Sequence, residues 1–164
     1  MFTEEQLEDM TMSLLDKLNY ECKNGYDIER DYHSVFYDTT LFDDIANINR
    51  DFTDEQINEA IKTIKTLTYN NVVEDNKEFT KYLLQGVPVE IKTNTGYQYK
   101  NVKLIDFENI NNNVFHIANQ VKFNEKGQKR IPDVIVYING LPLIVFGLKS
   151  PEYREDTFLE EAYK

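Results

Sequence analysis

Residues 130–149 read RIPDVIVYINGLPLIVFGLK, and the fold turns on how this stretch is read. Asn139-Gly140 lies between two apolar runs, a strong hairpin signal because both residue types tolerate positive φ. Val134, Val136 and Ile138 alternate with Ile135 and Tyr137, and Ile144, Phe146 and Leu148 alternate with Leu143 and Val145. Both faces of the hairpin are apolar. Both are therefore expected to be covered, most simply by helices.

Working outward, the same alternation predicts strands at Val87–Lys92, Gln98–Phe107 and Val114–Phe123, joined to strands at Arg130–Ile138 and Leu141–Lys149. Lys126-Gly127 marks a tight turn. Upstream the periodicity changes. Thr3-Glu4-Glu5-Gln6 has the form of a capping box, and Leu7, Met10, Leu14 and Leu18 follow at helical spacing, so residues 3–18 are expected to form an amphipathic helix. Asn19 to Asp27 reads as a turn leading out of it. Short helical turns are expected near Leu41–Ile48. Thr53-Asp54-Glu55-Gln56 opens a second helix carried by Ile57, Ile61, Ile64 and Leu67, and Asn76–Leu84 a third, ending near Gly86. Residues 155–164 have helical composition. The expected fold is α/β: an α/β/α sandwich, residues 1–164 forming a single domain. Residues 87–149 are expected to supply a central mixed or antiparallel sheet, with the helix over 3–18 on one face.

The 164 residues are enough for one domain with a core, and no apolar run is long enough to span a bilayer. Acids stand where a basic signal-peptide n-region would be. The single cysteine, Cys22, leaves no intramolecular disulfide and fits a reducing cytoplasm. A net charge of −11 argues against a surface that coats nucleic acid, although an active site needs only a local basic patch. Lys122, Lys126, Lys129, Arg130, Lys149 and Arg154 outnumber Glu125, Asp133 and Glu152 between residues 120 and 154, which fits a DNA-facing edge, while Lys126–Arg130 also reads as a solvated turn. His33 and His116 have no partner at metal-ligand spacing; His116 reads as a core or edge residue.

Asp133 and Lys149 are ionisable groups inside this apolar hairpin, an expensive placement unless each is paired or bound. Both would flank Gly147. Side chains on a strand alternate with period two, so the three can share a face only in one register. A plain two-residue turn at Asn139-Gly140 makes facing residue numbers sum to an odd value and separates Asp133 from Gly147 and Lys149. An even sum is needed. A three-residue loop with Gly140 as a G1 bulge, or a bulge farther along either strand, would supply it.

The pattern Pro132-Asp133 … Gly147-Leu148-Lys149 is that of the PD-(D/E)XK nucleases with the second acid replaced. The longer context is more specific. Val102-Lys-Leu-Ile-Asp106-Phe, Asn112-Asn-Val-Phe115, Ala118-Asn-Gln120, Arg130-Ile-Pro132-Asp133 and Asn139-Gly-Leu-Pro-Leu … Gly147-Leu-Lys149 resemble the R subunit of type I restriction-modification enzymes. There the corresponding stretches read LIDF, N-F…NQ, RPD, NGLPL and ELK. Glu4, Glu8, Leu18 and Tyr20 fit the family's opening. The resemblance implies a PD-(D/E)XK (restriction-endonuclease-like) fold and Mg²⁺-dependent cleavage of double-stranded DNA. It implies methylase (M) and specificity (S) subunits as partners, no membrane, and an ATP-driven motor. With no GxxxxGK[ST] in the chain, ATP is expected to bind only in motor domains outside it, so the chain is expected to be the N-terminal part of a longer protein. In such a site two carboxylates hold Mg²⁺, a hard ion that takes oxygen ligands and activates water. The lysine orients water or offsets developing charge. The implied metal ligands here are Asp133, Glu8 and the Leu148 backbone carbonyl, with Lys149 as the catalytic cation. Glu8 falls between Leu15 and Met12 on the helical wheel, inside the apolar arc, which is where a first-helix glutamate can reach the sheet. Glu4 and Glu5 read as residues that favour a helix amino terminus. The family's Gln-xxx-Tyr element would follow in residues 155–164, which hold Glu160, Glu161 and Tyr163.

Gly147 stands where that family carries an acid. It offers no ligand and weakens a strand. The chain as given is therefore expected to be catalytically impaired, with Mg²⁺ binding weak or absent. Three accounts remain: natural loss leaving a non-catalytic DNA- or partner-binding module, a substitution that spares the host a toxic nuclease, or an acid that has moved elsewhere.

Overall fold

The computed structural model describes residues 2–18, 20–67, 71–94, 96–125 and 127–150, apart from the Glu125 side chain. The expected helix over 155–164, and the Gln-xxx-Tyr element with it, lies outside the described residues. The fold is mixed α/β with a mixed four-stranded sheet, and it divides into two compact units, one formed by residues 1–38 and 115–164 and the other by 39–114. No described helix is long and apolar enough to cross a membrane.

The first unit starts with α1 (Glu4–Lys17), and the capping box forms as its sequence dictates: the Thr3 hydroxyl accepts from the Gln6 N–H while the Gln6 side chain accepts from the Thr3 N–H. Strand β1 (Glu21–Asn24) follows where a turn was expected. It is four residues long and mostly exposed, so no apolar alternation announces it. It pairs in parallel with β4 (Phe115–Asn119), which pairs antiparallel with β7 (Val134–Ile138), which pairs antiparallel with β8 (Leu141–Phe146). Between β4 and β7 a small hairpin, β5 (Phe123–Glu125) and β6 (Gln128–Arg130), stands off the sheet.

Both sheet faces are covered over β4 and β7, but not as expected, while Ile144 and Val145 of β8 are exposed. On one face Ile117, Val134 and Val136 are buried beneath Met12 and Leu15 of α1, with Tyr20, Cys22 and Phe146 around them. Each fully buried aliphatic side chain contributes about 1.5–3 kcal/mol. The Met10, Leu14 and Leu18 stripe that the periodicity singled out is exposed; the helix turns its Met12–Leu15 side to the sheet instead. Burial raises the Cys22 thiol pKa, with Asp16 nearby adding to the effect, and the thiol faces the Met12 carbonyl, so it acts as a packing group. On the other face Ala118, Val121, Ile135 and Tyr137 are covered by Ile28 and Tyr37, from the non-helical segment between β1 and α2 (Asp38–Ile48). Among the described residues of this unit, a loop does the work assigned to a helix.

The second unit holds α2, α3 (Asp54–Lys65), α4 (Val72–Gln85) and the antiparallel pair β2 (Val87–Thr93) and β3 (Gly96–Val102). Thr53 caps α3 with the expected box, and Ile57, Ile61 and Ile64 are buried. Strands β2 and β3 form a ribbon of their own rather than part of the four-stranded sheet, which corrects the expectation that residues 87–149 build one sheet. Their hydrogen bonds close on each other, and α3 packs against β2, whose Val87 and Val89 are buried. The loop after β3 is tied by Asp106, which accepts from the Asn112 amide and from the N–H groups of Asn109 and Glu108.

Two glycines give a contrast. A Cβ on Gly25 would lie 2.6 Å from the Asn119 carbonyl oxygen and 2.8 Å from the Val121 backbone, whereas one on Gly147 would meet no atom within 4 Å. Gly25→Ala is expected to cost about 1–3 kcal/mol, because backbone cannot move aside cheaply. Gly147→Ala should stay within about 0.5 kcal/mol. Urea unfolding of both variants checks the pair. A second expectation concerns pH. The Asn112 amide, then the Asn109 and Glu108 N–H groups, hold the Asp106 carboxyl below its ordinary value. A depressed folded-state pKa contributes stability that is present above the unfolded value and lost as pH falls through the folded one. The urea midpoint of the native chain should therefore fall more steeply than that of Asp106→Asn as pH drops below about 4.

Candidate active site

The hairpin that carries Asp133 and Lys149 closes with a two-residue turn: Asn139 and Gly140 have φ of 51° and 76°, and Ile138 pairs with Leu141. A three-residue loop is thereby ruled out. The register nevertheless becomes even farther on. Tyr137 pairs with Pro142, but Val136 pairs with Ile144, so Leu143 is an extra residue in β8. A proline there is consistent, since Pro142 has no N–H to give the ladder and prolines in sheets favour edges and bulges. Beyond the bulge Val134 pairs with Phe146, the last pair of the ladder, and Asp133 and Gly147 are the residues next to that pair on the two chains.

The contacts at that end of the sheet lie past the last ladder pair. Asp133 Oδ2 accepts the Leu148 N–H at 2.5 Å. The Leu148 amide thus meets the carboxylate. Lys149 Nζ lies 3.6 Å from Glu4 Oε1 on the first turn of α1. Gly147 is exposed, and its φ lies outside the left-handed region, so nothing local requires glycine there.

Glu8 reaches the same place from α1. It sits one turn before Met12, on the side of the helix that faces the sheet. Its Oε1 accepts from Asn119 Nδ2 at 2.7 Å and its Oε2 from Gln120 Nε2 at 2.5 Å. Gln120 adopts a left-handed backbone, φ 52°, and its N–H donates to the Asp133 carbonyl oxygen at 3.1 Å. One residue thus holds Glu8 with its side chain and Asp133 with its backbone. A cleft of about 440 Å³ results, lined by Glu4, Glu5, Glu8, Asp9, Asn24, Asn119, Gln120 and Asp133.

Of the residues expected from sequence, Glu8 and Asp133 line one cleft, and Lys149 reaches the acids of α1 beside it. Asn119 and Gln120 carried family resemblance but no role in the sequence. Glu4 and Asp9 were missed; the spacing of Glu4 with Glu8 and of Glu5 with Asp9 puts each pair on one helix face, and that was the available signal. His116 is buried, its Nδ1 lies 3.3 Å from Glu21, and its ring meets Tyr37 edge-on, so it is a core residue as expected.

A profile of the type I restriction enzyme R protein N terminus matches residues 1–164. The chain belongs to that family. It is 33% identical to the type I restriction enzyme HindI endonuclease subunit of Haemophilus influenzae over 99% of its own length and 16% of that protein. It is 34% identical to the inferred type I restriction enzyme MjaIXP endonuclease subunit of Methanocaldococcus jannaschii over 89% of its length and 15% of that protein. The chain therefore spans about a sixth of the curated relatives it matches.

For an R-subunit N terminus the implied group is Mg²⁺. The oxygen donors of Glu8 and Asp133 have the right chemistry for it. The set does not fit a resident ion as it stands: both Glu8 oxygens are engaged by amides, Asp133 Oδ2 is engaged by Leu148, and no three acids among the described residues are grouped to hold a metal. Position 147, where the family's acid would stand, has open space and no side chain.

The amide clamp makes Glu8 a structural as well as a candidate chemical group. Removing it in Glu8→Ala leaves two part-buried amides without their acceptor and is expected to cost about 1–2 kcal/mol. Glu5→Ala, on the exposed side of the same cleft, should stay within about 0.5 kcal/mol. Denaturant titration of the two variants measures the difference; equal losses would remove the clamp.

Proposed function

We propose that this chain is the DNA-cleavage domain of a type I restriction R subunit, with the PD-(D/E)XK (restriction-endonuclease-like) fold. Its site would be built from Asp133, Lys149 and Glu8 around position 147, and Gly147 leaves it without Mg²⁺-dependent hydrolysis of double-stranded DNA. The observation that carries the reading is the Leu143 bulge. It gives the even register in which Val134 pairs with Phe146, so that Asp133 and Gly147 follow on adjacent chains at the end of the sheet where Glu8 and Asp133 line one cleft. Family membership supports the nuclease class. The methylase and specificity subunits as partners, and ATP as the fuel of motor domains outside these residues, belong to the same reading.

Nothing in the fold requires glycine at 147, while Lys149 and Asp133 are kept. That combination favours a substitution that spares the host a toxic nuclease over natural loss. Calorimetry with Mg²⁺ or Mn²⁺ on the native chain and on Gly147→Glu is the deciding measurement, joined to a supercoiled-plasmid nicking assay. Native chain is expected to show neither binding nor nicking, and Gly147→Glu to gain both; losing one carboxylate ligand changes metal-assisted rates by several orders of magnitude, about 4 kcal/mol or more of barrier. Equal metal affinities would remove the argument for a missing ligand and leave a non-catalytic binding module as the reading.

A further inference from the structure

We propose that the β5–β6 hairpin is a DNA-docking arm, in which Lys122, Lys129 and Arg130 take phosphates neighbouring the one presented to the cleft. The proposal rests on the nuclease reading and adds to it the surface that would hold the substrate. The arm leaves the sheet at Gln120 and returns at Asp133, and the Gln120 N–H to Asp133 carbonyl bond closes its base. Both of those residues line the cleft. An extended chain advances about 3.3 Å per residue, so Arg130 and Lys129 lie at most about 10–13 Å of chain from Asp133. That is the span of a few phosphates along one DNA strand, which advances about 3.4 Å per nucleotide.

The arm is held rather than loose. Phe123 packs on the core of the first unit beneath the Arg30 guanidinium, 4.4 Å from its ring centre, and the Asn124 N–H donates to the Tyr32 carbonyl at 2.9 Å. Lys122 Nζ rests 4.4 Å over the Tyr26 ring. Lys129 and Arg130 are exposed. Among the described residues Lys122, Lys129 and Arg130 lie against no carboxylate, as is also true of Lys62, Lys77 and Lys92 in the second unit, but the three arm cations fall within nine residues of one hairpin. In a chain of net charge −11, residues 121–132 carry Lys122, Lys126, Lys129 and Arg130 against the single acid Glu125. The neighbouring cleft is lined by Glu4, Glu5, Glu8, Asp9 and Asp133 and repels a polyanion. A substrate phosphate is held there more readily where cations close by offset that repulsion, and besides Lys149 at Glu4 the arm supplies them.

The test is fluorescence anisotropy of a labelled 20-base-pair duplex with the chain, in EDTA, across about 50–200 mM salt. The triple variant Lys122→Ala/Lys129→Ala/Arg130→Ala is compared with Lys62→Ala/Lys77→Ala/Lys92→Ala, which removes the same charge from the second unit. The arm variant should bind about tenfold or more weakly at low salt, and its log–log salt slope should be shallower by about 3, one per lost phosphate contact. The control should keep the native slope, and both should keep the native urea midpoint. Native affinity in the arm variant, or an equal loss in the control, overturns the arm. So does an absence of duplex binding by the native chain, or an equal loss of affinity for polyglutamate, which would make the partner an acidic protein. Nicking by Gly147→Glu is scored separately: if it nicks while the arm substitutions leave duplex affinity unchanged, the arm fails and the nuclease reading stands.

Discussion

The geometry of this cleft depends on one unpaired residue. Leu143 interrupts the β7–β8 ladder and moves the facing register by a single position. Because side chains alternate with period two, that shift decides which residues of β8 share a face with Val134 and Val136. Without the bulge Val134 would face Val145, and the sheet end that carries Asp133 would be set against a different stretch of β8. The two-residue turn and the bulge serve different ends. The turn closes the hairpin with the twist that flanking strands prefer, and the bulge then corrects the face.

The second constraint is electrostatic. Five carboxylates from one helix end and one strand end share the cleft, and like charges at such distances repel. The fold answers with dipoles and cations drawn from several elements: the Asn119 and Gln120 amides on Glu8, the Leu148 N–H on Asp133, and the Lys149 ammonium near Glu4. Gln120 is the joint of this arrangement. Its left-handed backbone is an unfavourable state for a residue with a Cβ, costing about 1–2 kcal/mol, and it is the conformation that ends β4 and starts the β5–β6 hairpin. Strain of this kind persists where surrounding contacts hold it. Here the held groups are Glu8 and Asp133.

Much of this was legible in the residues alone. The capping boxes at Thr3 and Thr53, the buried Ile57, Ile61 and Ile64, and the apolar β7–β8 hairpin follow from local periodicity, which acts over a few residues and needs no knowledge of partners. The family was legible too, because its motifs cluster in the strands that carry the site. Strand β1 was not, since four mostly exposed residues on a sheet edge leave no alternation to read. Nor was the packing face of α1: its hydrophobic residues lie on more than one side of the helix, and only the sheet's position selects Met12 and Leu15 over Met10 and Leu14.

By itself the sequence determined the secondary elements with strong periodicity, the acid–glycine–lysine pattern, and the resemblance to restriction R subunits. Tertiary structure alone decided that β2 and β3 form a ribbon apart from the four-stranded sheet, that a loop rather than a helix covers Ile135 and Tyr137, and that the register correction comes from Leu143 rather than from the turn. It also decided that Glu4 and Asp9 share a cleft with Glu8 and Asp133. The physical reason is the same in each case. Strand pairing, face coverage and the convergence of charges are contacts between residues far apart in the chain. Local periodicity states which face of an element is apolar, but not which distant element will meet it.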